Sequence, residues 1–239
     1  MSSWRVLDAD TGVMTNGYVF NDNGGQANSF CVRIAEGEYL VISAPTVDEV
    51  AWTEFEEFGK PVGFVAPNGF HHLGLNSCRE RWPEARFFAA DETQARIAKK
   101  GDGVDVPWES MGALQEILPS HVGVREAPHT KAGETWGWCK TATGNVFYGS
   151  DVVCNWQEFP GNFLLSFFWK MSGSGPGFRP FHLAQMAIAK DKKKLFGAFL
   201  DDLEENPPNV ILPGHGDVLQ HDGLAGEARS IFAEAAGRA

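Results

Sequence analysis

The stretch Phe64-Val-Ala-Pro-Asn-Gly-Phe-His71-His72-Leu-Gly74 joins a short apolar run to two adjacent histidines. Residues Val62 to Ala66 are rich in β-forming residues and are followed by Pro67, which predicts a strand that ends there. The two histidines therefore follow a strand end, in a loop closed by glycine. In folds that layer helices on sheets, side chains at strand ends meet at one sheet edge, where functional sites form.

Two more histidines and one aspartate have a similar setting. His129 lies in the turn Ala127-Pro-His-Thr130, Asp151 follows a predicted strand, and His215 lies in Pro213-Gly-His-Gly216 after another strand. Several imidazoles with one carboxylate form a ligand set that suits Zn²⁺, Fe²⁺ or Mn²⁺. The remaining histidines lack this setting, and we expect them to bond locally or face water: His121, His182 and His221.

Strand and helix patterns alternate along the chain, which predicts a mixed α/β protein. Helical spacing covers Val47 to Phe58, Phe181 to Glu205 and Gly223 to Gly237. No internal repeat, low-complexity tract or linker interrupts residues 1–239, so we expect a single domain. Predicted strands are Gly17 to Phe20, Ser29 to Ile34, Tyr39 to Ile42, Val62 to Ala66, Arg86 to Ala89, His121 to Val124, Glu134 to Cys139, Asn145 to Gly149 and Asn209 to Leu212.

Composition narrows the class of protein. The chain has 239 residues, of which 43% are apolar, and this supplies ample material for a packed core. Its net charge of −11 would repel a phosphate backbone, so we expect no nucleic acid partner. Four cysteines without a C-x-x-C pair and a start without a secretory signal favour a cytoplasmic protein with reduced thiols.

The aromatic segment Phe163-Leu-Leu-Ser-Phe-Phe-Trp169 is the longest dense apolar stretch. It is far shorter than the ~20 residues that a membrane-spanning helix needs, so we expect no membrane partner. The segment suits ordinary core, a homodimer contact or a lid, and the sequence leaves these alternatives open.

The order of the histidine and aspartate stretches resembles that of the metallo-β-lactamase superfamily. The matching stretches are Pro67-Asn-Gly-Phe-His-His-Leu-Gly74, Pro128-His-Thr-Lys-Ala-Gly-Glu-Thr-Trp136, Phe147-Tyr-Gly-Ser-Asp151 and Ile211-Leu-Pro-Gly-His-Gly216. The resemblance spans most of the chain. It implies a four-layer αββα sandwich, with two mixed β-sheets flanked by helices and a metal site at one edge of the sheets.

The first motif departs from the superfamily's pattern H-x-H-x-D-H. His72 matches its last histidine, whereas Pro67 and Gly69 replace the two leading histidines and His71 replaces the aspartate. The resemblance therefore implies one divalent metal ion, zinc first and iron or manganese as alternatives. His129, Asp151 and His215 match the second-motif histidine, the metal-bridging aspartate and the last histidine, so the candidate ligands are His71, His72, His129, Asp151 and His215.

The activity that the resemblance implies is metal-dependent hydrolysis of a small molecule: an ester, thioester, lactone or phosphodiester. In this hypothesis His71 is a fourth ligand or a proton shuttle, and His129 is a ligand or an acid/base group facing the substrate. Two alternatives stay open. The missing histidines fit a protein that binds a ligand or partner without catalysis, and histidine with carboxylate also suits mononuclear iron redox chemistry.

Overall fold

The computed structural model describes residues 4–20, 25–101, 103–157, 167 and 169–238. Within them, a first sheet has strands ordered along the sheet as along the chain, antiparallel from β1 to β4 and parallel from β4 to β7. Its strands are β1 (Arg5–Asp8), β2 (Val13–Val19), β3 (Gln26–Ala35), β4 (Glu38–Ile42), β5 (Lys60–Val65), β6 (Arg86–Phe88) and β7 (Trp108–Glu109). The helices of this half are α1 (Glu49–Glu56), α2 (Leu75–Arg81), α3 (Asp91–Lys100) and α4 (Met111–Gln115).

The second half of the chain forms two smaller mixed sheets. One has the order β13-β10-β9-β8 and the other β12-β11-β14. The strands are β8 (Val122–Glu126), β9 (Thr135–Thr141), β10 (Gly144–Tyr148), β11 (Val153–Trp156), β12 (Gly177–Pro180), β13 (Pro208–Leu212) and β14 (His215–Gly216). The helices are α5 (His182–Ile188), α6 (Lys192–Glu205) and α7 (Leu224–Ala236).

Alternating side chains create the four layers that the resemblance implied. On β4, Val41 shares a core with Trp52 of α1, whereas the next residue, Ile42, shares a different core with Val146 of β10. The outer face of the second layer packs on α6 and α7 around Phe199 and other aromatic side chains. Helices thus cover both outer faces of the paired sheets, and the predicted αββα fold is confirmed.

The second layer differs from the single mixed sheet that we expected. Strand β10 ends at Tyr148, and a 3-10 helix, Ser150–Val152, turns the chain before β11 begins at Val153. Ser150 has the left-handed φ of +46°, which a regular strand cannot include. This turn divides the layer into two sheets and places Asp151 at the break.

The predicted helix Phe181 to Glu205 is wrong as one continuous helix. Ala189 is extended, with φ −83° and ψ 140°, and it forms a β-bridge with Thr130. Asp191 then caps a new helix, because its side chain accepts a hydrogen bond from the backbone N–H of Lys194 at 3.2 Å. The break leaves α5 as a separate short helix beside the edge where β5, β10 and β13 end.

In the part of the chain that the structure describes, no helix is both long enough and apolar enough to cross a membrane.

Candidate metal centre

Three of the predicted ligands meet where their strands end. His71 lies in the loop after β5, Asp151 in the turn after β10, and His215 at the start of β14. Nε2 of His71 lies 3.2 Å from Oδ1 of Asp151, and Nε2 of His215 lies 3.0 Å from the same oxygen. One ligand atom from each residue lies within 4.8 Å of the other two. Ligand atoms bound to one Zn²⁺ lie about 3.0–3.5 Å apart, so these N···O separations fit a shared metal ion.

The outer atom of each ligand has a partner that fixes its orientation. Nδ1 of His71 is 2.8 Å from the Ser43 hydroxyl, which is itself 2.8 Å from the Tyr18 hydroxyl. Oδ2 of Asp151 accepts a hydrogen bond from the Asn68 amide at 2.9 Å. Such supporting contacts orient metal ligands and determine which imidazole nitrogen faces the metal.

The orientation of His215 creates a requirement for positive charge. Its Nδ1 lies 2.6 Å from the backbone oxygen of Gln26, and because a carbonyl only accepts, Nδ1 must carry the hydrogen. In the neutral ring, Nε2 then presents a lone pair to the Asp151 carboxylate. Two acceptors this close repel each other unless a cation lies with them. A proton on Nε2 or a metal ion between the atoms meets that requirement, and the donor set therefore fits a divalent metal.

The charged pair shifts both pKa values. Burial by itself raises the pKa of Asp151, but His71 and His215 outweigh burial and hold it well below its usual range. Burial lowers the pKa of His215, yet the attraction of the Asp151 carboxylate outweighs it, so the pKa of His215 is raised. Asp151 is therefore ionised at neutral pH and attracts cations to the site.

Sequence reasoning missed a second carboxylate, Glu134, which is fully buried behind the centre. Its oxygens accept hydrogen bonds from the amides of Asn68 at 3.4 Å and Gln185 at 3.3 Å. Burial and then the nearby charge of Asp151 raise the pKa of Glu134 well above its ordinary value. The available signal was an acidic residue at the start of a predicted strand, Glu134 to Cys139, whose other residues are mainly apolar.

The other two predicted ligands lie outside this group. His129 is exposed and has φ +58°, and its carbonyl accepts hydrogen bonds from the N–H groups of Lys190 and Asp191 at the α5–α6 junction. It does not line the cavity beside the centre, so neither the ligand role nor the acid/base role predicted for it has support in its placement. His72 is half-buried and lines that cavity without joining the three-residue group.

The side chain of Arg96 explains why glycine stands at position 69. A Cβ atom at Gly69 would lie 2.7 Å from Cβ and Cγ of Arg96, well inside van der Waals contact. The Arg96 guanidinium carbon continues to 3.9 Å from the centre of the Phe70 ring. The space into which a side chain at position 69 would project is thus filled by a cationic residue of α3.

A cavity of about 210 Å³ opens beside the three ligands. The ring of Phe181 stands edge-on to His215, and the ring of Trp156 stacks on it at 5.5 Å. The polar or titratable lining residues are Tyr18, His71, His72, Asp151 and His215. The apolar ones are Phe20, Ala27, Phe70, Leu73, Phe181, Ala184, Ala187 and Ile188.

Comparison with known proteins identifies the fold of the chain. No protein family model matches the chain, and no curated protein matches it. Among solved structures, a metallo-β-lactamase from Pontibacter korlensis is 12% identical, with a TM-score of 0.60 over 97% of this chain and 99% of that one.

Two further similar structures extend this picture. The metallo-β-lactamase FIM-1 from Pseudomonas aeruginosa, in its mono-zinc form, is 12% identical, with a TM-score of 0.58 over 98% of this chain and 96% of that one. A fragment of a putative diflavin flavoprotein from Nostoc is 11% identical, with a TM-score of 0.57 over 99% of this chain and 96% of that one. The layers, the strand-end site and these matches agree, and the chain has the metallo-β-lactamase fold.

Proposed function

We propose that this protein is a metal-dependent hydrolase of small molecules with a mononuclear centre held by His71, Asp151 and His215. The observation that carries the proposal is the convergence of two imidazoles and one carboxylate, whose ligand atoms lie within 4.8 Å of one another beside an open cavity. Two imidazoles and one carboxylate are a known ligand set of catalytic zinc, which keeps one position open for water or substrate. The adjacent cavity gives a substrate access to that position.

A bound divalent metal would lower the pKa of water toward ~7 and polarise a carbonyl or phosphoryl oxygen. The chain's own residues support this chemistry. Asp151 balances the charge, and the Ser43 hydroxyl holds the His71 ring. Tyr18 and His72 line the cavity, where the phenol can donate a hydrogen bond to the substrate and the imidazole can pass a proton to the leaving group.

In ester hydrolysis, water's hydroxyl is added to the acyl carbon, the acyl C–O bond breaks, and the departing alkoxide takes up a proton. The apolar cavity wall limits water near the reacting atoms, which strengthens the electrostatic interactions there. The role of moving the final proton falls to His72 in this proposal, because His72 lines the cavity whereas His129 is exposed and does not.

A second candidate is a protein that binds a ligand without turning it over. The observation that favours it is the absence of histidine at positions 67 and 69, with Arg96 filling the space at Gly69. One similar structure, the enzyme FIM-1, was solved in a mono-zinc form. A mononuclear site is therefore compatible with this fold. Because the loss of the second metal position does not by itself argue against catalysis, we rank the hydrolase first.

Metal analysis tests the proposal directly. Protein purified without chelator should contain one zinc ion per chain by mass spectrometry and should hydrolyse p-nitrophenyl butyrate. His215→Ala should lose both zinc and turnover. The matched control is His221→Ala, because that histidine is exposed, pairs with Glu227 at 3.2 Å and does not line the cavity beside the centre; it should retain both.

Other outcomes of the same experiment identify the alternatives. The proposal would be contradicted if the protein is purified without metal and its melting temperature does not change when Zn²⁺, Fe²⁺ or Mn²⁺ is added. If it also turns over no ester, thioester, lactone or phosphodiester, the result would support the binding protein. Protein that contains iron, absorbs visible light and reacts with oxygen would replace the hydrolase by mononuclear redox chemistry.

A further inference from the structure

The charge of the cavity wall restricts what the site can hold. Among the residues that the structure describes, neither lysine nor arginine lines the cavity, and Asp151 is the acidic residue of this lining. Asp151 already faces two imidazoles, and its second oxygen bonds to the Asn68 amide. An anionic or cationic group placed away from the centre would therefore lose its hydration and gain no countercharge from the wall, which is unfavourable.

The size of the cavity sets the length of the group that fits. About 210 Å³ equals the volume of roughly seven water molecules in the liquid. A saturated chain of about six to eight carbon atoms, or a phenyl group with a short linker, occupies a similar volume. The α5 side chains Ala184 and Ala187 are small, and this leaves the space open between the helix and the loop after β5.

The mouth of the cavity is also apolar, although it is in contact with solvent. Phe70 is 38% exposed and Leu73 is 52% exposed, and both line the cavity. Phe70 is held in place by the Arg96 guanidinium on its outer face. Arg96 is not among the lining residues, so its charge fixes the wall without facing the ligand. A fixed aromatic rim beside an apolar cavity favours apolar ligand groups.

We infer that the site accepts an uncharged, apolar acyl or aryl group of about six to eight carbon atoms, which places the carbonyl of a neutral ester or thioester at the centre. This inference rests on the proposed function and narrows its substrate class. Substrates with a carboxylate or an ammonium group at the far end of the acyl chain are disfavoured by the same wall. The carbonyl lies toward His71 and His215, and the chain or ring extends between α5 and Phe70.

Binding to the metal-free protein tests the cavity without any turnover. The probes are three amides with six carbon atoms each: hexanamide, adipamate with a terminal carboxylate, and 6-aminohexanamide with a terminal ammonium. We expect hexanamide to bind at least tenfold more tightly than either charged amide, measured by ligand-observed NMR. Across acetamide, butyramide and hexanamide, affinity should rise by up to about fourfold for each methylene group buried. Equal affinity for the three hexyl amides, or affinity independent of chain length, would overturn the inference.

A cavity-filling variant locates the binding. Ala184→Phe should abolish hexanamide binding because the ring occupies the same space. Ala225→Phe is the matched control: Ala225 is also half-buried on a helix and lines a groove, but that groove lies at the other end of β10 and β13. Hexanamide binding that survives Ala184→Phe would contradict the assignment.

Turnover by the zinc-loaded protein separates this inference from the proposed function. We expect kcat/KM for p-nitrophenyl hexanoate to exceed that for the monoanionic p-nitrophenyl adipate at least tenfold. Turnover of both esters at equal rates would leave the hydrolase standing and overturn the inference. Tight hexanamide binding without zinc uptake or turnover would contradict the hydrolase, and the preference for uncharged apolar groups would then describe the ligand of a binding protein.

Discussion

Two halves of the candidate site differ in what stands behind their side chains. The retained half consists of the residues that converge, His71, Asp151 and His215. The lost half consists of the positions that match the superfamily's remaining ligand pattern, Pro67, Gly69 and His129. In the retained half each ligand has a partner on its outer atom, whereas the lost half is filled by Arg96 or turned to the surface.

Residues that are distant in the sequence hold the metal ligands of the retained half in position. Ser43 follows β4, adjacent to the strand that leads to His71, and Gln26 begins β3 and holds His215. His129 has no such anchor on its ring. Its backbone carbonyl instead ties the loop to the start of α6, and its side chain is exposed. The residues that contact the ligands therefore identify the retained half more clearly than the sequence motif does.

Replacing the shared carboxylate should break the retained half most severely. Asp151→Asn removes the negative charge between two imidazoles, and we expect zinc affinity to fall on the order of a thousandfold, or about 4 kcal/mol. Competition with a calibrated chelator measures the change. A loss of less than tenfold would show that Asp151 is not a ligand.

Asp202→Asn is the matched control for this variant. Asp202 is also a buried carboxylate, and it accepts a hydrogen bond from Trp136 Nε1 at 2.7 Å under α6. We expect this change to destabilise the fold and to leave zinc affinity unchanged. Equal loss of zinc in both variants would mean that general destabilisation, and not ligation, explains the first result.

Removing the support behind His71 should have a smaller effect. Ser43→Ala deletes the hydroxyl that contacts both His71 Nδ1 and the buried Tyr18 hydroxyl. Loss of such a supporting contact typically lowers metal affinity about 10–100-fold. Tyr18→Phe keeps the contact between Ser43 and His71 and should change zinc affinity less. The opposite order of the two variants would assign the support to Tyr18.

Restoring a histidine in the lost half should fail. Gly69→His forces a side chain into the space of Arg96, and overpacking of this kind costs about 1–3 kcal/mol of the free energy of unfolding. Adding Arg96→Ala removes the contact with Cγ but keeps that with Cβ, and should therefore recover part of that loss, which urea unfolding of both single variants and the double variant measures.

The metal content of the same double variant shows whether Arg96 alone prevents a second zinc ion from binding. We expect one zinc ion per chain, because Pro67 supplies no ligand and His129 is exposed and does not join the ligand group. Two zinc ions per chain would show that Arg96 alone excludes the second metal.

The sequence predicted the parts of this site that depend on strand ends. Predicted strands ending at Ala66 and Leu212 lie within one residue of the observed ends of β5 and β13, and so the loops that carry His71 and His215 lie at one edge. The direction of His129 could not be predicted, because a turn motif fixes a loop's place and not its backbone φ. The helix break at Ala189 was hidden by continuing helical spacing, although Asp191 before three lysines was a visible capping signal.

The sequence pattern also could not predict the residues that contact and orient the metal ligands. Tyr18, Ser43 and Asn68 come from different loops and strands, and each is an ordinary polar residue until the sheet places it beside a ligand. Glu134 is buried through packing of the second layer against α5, which depends on the helix break that periodicity concealed.

Changing the pH should produce the smallest effect and should separate a proton from a metal at His215. The pKa of His215 is raised above 6.5 in the fold, so its contribution to stability is complete below pH 6.5 and is lost as the pH rises through the folded value. The pKa of Asp151 is lowered below 3.8, so its contribution is present above pH 3.8 and is lost at lower pH. Metal-free protein should therefore be most stable between these limits.

Above pH 6.5 the metal-free and zinc-loaded proteins should respond in opposite ways. The free energy of unfolding of the metal-free protein should decline by at most about 1.4 kcal/mol per pH unit from His215, since one proton is involved. The stabilisation by zinc should grow over the same range, because a metal ligand must first lose its proton. Urea unfolding from pH 6 to pH 8.5, with zinc or with chelator, measures both slopes, and His215→Gln should remove the decline. Parallel slopes with and without zinc would mean that His215 does not exchange its proton for the metal, and the retained half would then be a buried ion pair with no metal to hold.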